Sequence, residues 1–183
     1  TDISSGLSLG KRISETLFSI YNQEKKIDMS IARCFGFVGP LLPYDIHYAI
    51  GNFVYSAIKG KKIVIQGDGK PVRSYLYLGD MVYWMLSILF LGKTGRDYNV
   101  GASNGINMID LANLVKNTIN PEIEIEIKSN SNKSKGNATN YFYVPNTIRC
   151  RDELNLIQFT DLKTSIKKYG EFLDVIIPQS KNF

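Results

Sequence analysis

Between Leu7 and Glu24 the apolar residues Ile13, Leu17, Ile20 and Tyr21 recur at helical spacing, which predicts an amphipathic helix. After a short polar link comes "DMSIARCFGFVG", a nearly continuous apolar run closed by Gly39-Pro40. That pattern predicts a strand buried on both faces of a parallel sheet and stopped by turn residues. Helix and strand together make one half of a crossover unit. Asp45 to Ile58 predicts a second helix. "KKIVIQ", "GDGKP" and "VRSYLYL" then read as strand, turn and strand, with Gly67 and Gly69 supplying the permissive backbone and Pro71 marking the exit. Strand alternation puts Arg73, Tyr75 and Tyr77 on one face, and Val72, Ser74 and Leu76 on the other.

"GDMVYWMLSILFL" is apolar almost all round over about a dozen residues, which predicts a buried helix too short to cross a membrane. Asp80 stands where a helix N-cap belongs. "DYNVG" predicts a short strand, and "NMIDLANLVKNTI" an amphipathic helix with Ile109, Leu111, Ala112 and Val115 as its apolar set. "EIEIEIK" alternates strictly, as an edge or half-exposed strand does. Lys128 to Asn140, "KSNSNKSKGNATN", is polar and predicts a mobile loop. The segment "YFYVPN" and the helical stretches "TIRCRDELNL" and "TDLKTSIKKYGEFL" complete the chain, and no internal repeat is visible.

Composition narrows the function classes. With 183 residues, 44% hydrophobic and 21% charged, the chain has ordinary globular values and no membrane-length apolar run. "TDISSGLSLGKR" lacks the basic start, apolar core and small-residue site of a secretory signal, so a cytoplasmic location is the expectation. The start at Thr1, directly on a helix approach, reads as a piece of a longer protein. Two sequons, Asn132-Lys133-Ser134 and Asn137-Ala138-Thr139, are read as chance in an asparagine-rich loop. Cys34, Cys150 and the single His47 share no metal spacing, so neither a zinc site nor a disulfide is expected. Cys34 lies in an apolar run and reads as a buried free thiol, and His47 as structural. The net charge of +5 is spread out with no basic stripe interleaved with aromatics, which fits an anion-binding pocket better than nucleic acid.

The succession of a helix carrying Lys11, a strand ending "ARCFGFVGP", a helix with "GNF", "GDGKPVRSYLYLGDM" and "YNVG" resembles the extended short-chain dehydrogenase/reductase superfamily. Within it the chain is most similar to NAD-dependent nucleotide-sugar epimerases and dehydratases of the dTDP-glucose 4,6-dehydratase type. The resemblance runs from about Ser5 to Leu156 and matches only the second half of such an enzyme. It implies an α/β fold: the carboxy-terminal part of a Rossmann-type extended enzyme, a parallel-sheet remnant with its crossover helix, plus a small mixed α/β substrate-binding domain. Residues 1–40 would end the Rossmann-like domain, and 41–183 would be mainly substrate-binding. No G-x-x-G-x-x-G follows a strand in this chain, so it is not expected to build a complete NAD site alone.

The resemblance also implies roles for residues. In the family a tyrosine and a lysine four apart share a helix face; the lysine holds the nicotinamide ribose and lowers the tyrosine pKa, so that the phenolate accepts a proton as hydride leaves. Lys11 matches the lysine, but the tyrosine position is Leu7, which can supply no base. Phe35 and Phe37, at the carboxyl end of the predicted strand, are expected to approach the nicotinamide. Asn52 and Arg73 align with residues that contact the nucleotide diphosphate, an arginine fork suiting paired anionic oxygens, and Tyr75 shares the predicted face of Arg73. The partners so implied are a nucleotide-diphosphate sugar and, through the helix near Leu7, a homodimer. The function implied is the substrate-binding portion of an enzyme of deoxysugar or O-antigen synthesis, inactive by itself; a non-catalytic nucleotide-sugar binder is the alternative that Leu7 suggests.

Overall fold

The computed structural model describes residues 6–24, 27–46, 48–128 and 141–177. The expectations for His47 and for the loop from 129 to 140 lie outside the described residues.

Helix α1 (Gly6–Gln23) forms where the helical spacing places it, but none of its residues is buried. Its apolar stripe of Ile13, Leu17, Ile20 and Tyr21 is exposed along with Leu7 and Leu9. Charge is one tie of α1 to the sheet: Glu15 receives both Nε (2.8 Å) and Nη2 (2.7 Å) of Arg33. Arg33 also donates to Asp97, which accepts from Arg149 in turn. The paired arginine holds the Glu15 carboxyl below its ordinary value.

The run "IARCFGFV" is not one strand. It divides into β1 (Ile31–Cys34) and β2 (Phe37–Val38), which pair in parallel with β6 (Asp97–Val100) and β5 (Leu76–Tyr77) respectively. Nor is β1 buried on both faces: its burial falls off toward Cys34, an exposed residue overall. The expectation of a buried Cys34 is thereby corrected, since among the described residues β1 has a strand neighbour on one side only, β6. Cys150 is the buried cysteine, with its thiol donating to the Asn99 carbonyl (3.3 Å).

The strand, turn and strand read from "KKIVIQ", "GDGKP" and "VRSYLYL" do not pair with one another. β3 (Ile63–Gln66) pairs in parallel with β8 (Ile125–Lys128), while β4 (Val72–Arg73) pairs antiparallel with β7 (Ile106–Asn107) and parallel with β9 (Phe142–Tyr143). Gly67 and Gly69 carry positive φ values of 94° and 71°, as a turn requires, but this turn sends the chain into another sheet. Between β4 and β5 the chain leaves one sheet for the next. Ser74, Tyr75 and Leu76 are all buried, so the predicted two-face alternation stops at Arg73.

Helices α2 (Ala49–Ile58), α4 (Met108–Ile119) and α6 (Leu162–Ile176) pack together beside β3 around Ile50, Val54, Ile63, Leu111, Ile166 and Tyr169. Helix α2 starts later than the sequence predicts, at Ala49. α4 and α6 begin at side-chain caps: Asn107 accepts from the Asp110 N–H (2.8 Å) and Asp161 from the Thr164 N–H (2.9 Å). A second core joins Leu76, Trp84, Tyr98, Val100, Cys150 and Leu156 across α3 (Leu78–Leu91), β6 and α5 (Ile148–Leu154).

Helix α3 corrects two expectations. Only Asp80, Trp84 and Ile88 of it are buried, while Val82, Tyr83, Leu86, Leu89 and Phe90 are exposed. Asp80 is not the cap, which is Tyr77; it sits in the first turn, and its carboxylate crosses to the segment before α6. There it accepts from the N–H groups of Phe159 and Thr160 (2.9 Å each) and the Thr160 hydroxyl (3.0 Å).

Candidate functional site

A cavity of about 430 Å³ opens where the ends of β1, β2 and β4 meet the start of α2. Its walls bring together four residues singled out from the sequence: Phe35, Phe37, Arg73 and Tyr75. The break between β1 and β2 turns Phe35 and Gly36 toward this space, and Phe35 is pinned by its N–H donating to the Val100 carbonyl (3.0 Å). Arg73 reaches the wall from the end of β4, with Nη1 donating to the Val72 carbonyl (2.8 Å). Tyr75 is nearly covered, and burial pushes its phenol up to about 12, with Arg73 drawing it partly back. A phenol so held stays protonated near neutral pH: it can donate a hydrogen bond but cannot serve as a base.

Asn52 is placed apart from this cavity. It lines a neighbouring one of about 540 Å³ that shares only Ala49 and Met108 with the first. Its amide donates to the carbonyls of Ile46 (2.5 Å) and Tyr48 (3.0 Å), so it secures the approach to α2. Lys11 is exposed on α1. Its charge bears on the Cys34 thiol, which partial burial raises and Lys11 lowers.

Two wall residues escaped the sequence reading. Ser74 is 1% exposed, and its hydroxyl has no hydrogen-bond partner among the described residues. Tyr143 of β9 stacks on Phe35 with ring centroids 4.9 Å apart, and the Arg73 guanidinium carbon lies 5.8 Å from its ring centroid. The run "YFYV" was the available signal, but an aromatic run after a polar loop does not tell which sheet it joins.

The start of α4 is closed to a pyrophosphate: the Gly69 carbonyl accepts from the N–H groups of Met108 (3.0 Å) and Ile109 (3.4 Å), and Asn107 takes that of Asp110. Among the described residues no group of three or more His, Cys, Asp or Glu is placed to hold a metal, and no helix is long and apolar enough to cross a membrane.

Parallel strand pairs with helices between them, and a cavity at their carboxyl ends, define a domain of the Rossmann-type α/β enzymes. Residues 3–101 match the NAD dependent epimerase/dehydratase family, and the chain belongs to that family. It is 36% identical over 121 residues to UDP-glucuronic acid decarboxylase 3 of Arabidopsis thaliana, covering 66% of this chain and 35% of the relative. UDP-glucuronic acid decarboxylase 1 of Xenopus tropicalis is 24% identical over 120 residues, with 66% of this chain and 28% of the relative covered. The chain thus spans about a third of the length of the curated relatives it matches.

Among solved structures, UDP-glucose 4-epimerase of Thermotoga maritima, determined with UDP-glucose, superposes with a TM-score of 0.82 at 19% identity, over 93% of this chain and 53% of the other. The dTDP-glucose 4,6-dehydratase of Bacillus anthracis, in complex with NAD, gives a TM-score of 0.73 at 19% identity, over 88% and 50%. The extended short-chain dehydrogenase/reductase fold expected from the motifs is the one found.

Proposed function

We propose that this chain is the nucleotide-diphosphate-sugar-binding portion of an NAD-dependent epimerase/dehydratase-family enzyme, with a UDP-sugar as the ligand class. The observation that carries the reading is the single cavity that sets the Arg73 guanidinium beside Tyr75, Phe35 and Phe37. A guanidinium fork pairs with diphosphate oxygens, and aromatic walls cover the flat faces of a sugar or base. The curated relatives favour UDP over other nucleotides, since their names specify UDP-glucuronic acid.

Arg73→Ala is expected to weaken UDP-glucose binding by about 1.5 to 3 kcal/mol, the range for a lost charged hydrogen bond, as read by titration calorimetry on the 183-residue protein. Unchanged affinity would remove Arg73 from the site. Asn52→Ala carries a smaller expected effect on affinity, because its amide already serves backbone carbonyls.

NAD, when bound by the parent enzyme, supplies the hydride acceptor. In that setting Lys11 would hold the nicotinamide ribose, and Phe35 and Phe37 would approach the nicotinamide. The uncovered stripe of α1 supports a homodimer as part of the same reading. Synthesis of deoxysugars for surface polysaccharide or O-antigen, in the cytoplasm, is the role proposed.

A second reading, a non-catalytic nucleotide-sugar binder, is favoured by Leu7, which is 75% exposed one helical turn before Lys11 and carries no titratable group. With Tyr75 held protonated by its burial, that wall residue does not stand in as base at neutral pH. On this reading UDP-glucose binds, yet mixing with NAD produces no reduced-nicotinamide absorbance. The appearance of that absorbance would reject it.

A further inference from the structure

Tyr143 and Arg73 are register partners in the parallel pairing of β9 with β4, so their side chains rise from the same face of one sheet. On that face the Arg73 guanidinium lies 5.8 Å from the Tyr143 ring centroid, within the range of a cation–π contact. The ring also packs against Phe35, with centroids 4.9 Å apart and the planes tilted by 32°. Phe35 is fixed in turn by its backbone bond to Val100. A rigid line therefore runs from the end of β1, through two rings, to the guanidinium.

We infer that Tyr143 is a positioning residue for Arg73, holding the guanidinium at the cavity in the geometry that receives a diphosphate; this rests on the nucleotide-sugar reading above. An arginine side chain has many rotamers to lose on binding, and a ring that restricts it beforehand lowers that loss. The ring, not the hydroxyl, does this. Tyr143 need not touch the ligand.

The test is a double-mutant cycle read by titration calorimetry with UDP-glucose. Tyr143→Leu is expected to weaken binding about threefold to fivefold, the upper part of the range for losing an exposed cation–π contact. Tyr143→Phe, which keeps the ring, should stay within about twofold of wild type. In the Arg73→Ala background, Tyr143→Leu should change affinity by less than about twofold, because a residue acting through another has no effect once that other is gone. An undiminished loss in that background would make Tyr143 a direct contact and overturn the inference.

Ligand-free thermal unfolding of wild type, the two single variants and the double variant separates failure of the inference from failure of the site. If wild type binds no UDP-glucose, the nucleotide-sugar reading fails, and the unfolding cycle still decides the contact. Midpoint shifts that simply add show no Arg73–Tyr143 coupling and overturn the inference; a double shift smaller than the sum supports it.

Discussion

Asp80→Ala is expected to lower the stability of this protein by about 2 to 4 kcal/mol, measured by urea unfolding. The carboxylate is 6% exposed and accepts three hydrogen bonds from Phe159 and Thr160, two of them from backbone N–H groups. Alanine would leave those donors without their acceptor, at about 1 to 3 kcal/mol for each that stays buried. The cost also spreads. Asp161, the cap of α6, follows Thr160 directly, and α6 brings Ile166, Tyr169 and Leu173 into the larger core. The same segment is held one turn further along α3, where the Trp84 indole donates to the Ile157 carbonyl (3.1 Å). Asp80→Asn should fall between wild type and alanine, since it keeps the shape but replaces an acceptor oxygen with a donor. A change of less than about 0.5 kcal/mol for alanine, the range of an ordinary surface substitution, would show that the segment is held by other contacts.

Asp80 also shows what the sequence could and could not reveal. An acidic residue before an apolar helical run reads as a cap because capping is local, and local rules see only a few residues either way. Its actual partners lie at Phe159 and Thr160, which no local rule reaches. The two glycines of "GDGKP" were likewise legible as a turn, and both have positive φ. Which strand β3 would pair with was not, because turn residues set a change of direction and leave the partner open; β8 comes from after α4.

Helix α4 was legible in extent because Leu111, Ala112 and Val115 recur at its buried face and meet α2 and α6 within this chain. Helices α1 and α3 were legible as helices but not in their exposure, since an apolar stripe says nothing of whether its cover is present. Of the site, Arg73, Tyr75, Phe35 and Phe37 do share a wall. The resemblance located Arg73, strand alternation joined Tyr75 to it, and the carboxyl end of the predicted strand gave Phe35 and Phe37; the same alternation also put Tyr77 on that face, and Tyr77 does not line the cavity. Tyr143 was invisible for the same reason as β8, a pairing made across the sheet by a segment distant in sequence.

Gly36→Ala should be costly for a reason unrelated to backbone torsion, since Gly36 is absent from the positive-φ glycines. A Cβ built on Gly36 would lie 2.3 Å from the Ser74 carbonyl oxygen, a backbone atom that cannot swing aside. That carbonyl lies between β4 and β5, where the chain passes from one sheet to the other. The Gly36 carbonyl meanwhile accepts from the Leu76 N–H (2.9 Å), the first bond beside the Phe37–Leu76 and Val38–Tyr77 pairs of β2 and β5. A methyl group would drive apart two backbones that hydrogen bonding holds together. The expected loss is about 2 to 4 kcal/mol in urea unfolding, at or above the upper end for overpacking because neither side can relax by changing rotamer. Gly36 and Ser74 are both walls of the Arg73 cavity, so affinity for UDP-glucose should fall with stability. Gly10→Ala provides the opposite sign from the same change. A Cβ there meets nothing within 4 Å, and alanine within a helix is favoured over glycine by about 0.5 to 1 kcal/mol. Wild-type stability in Gly36→Ala would mean that β2 and β5 can separate at no cost, and that the close approach of Gly36 to Ser74 does not shape the cavity.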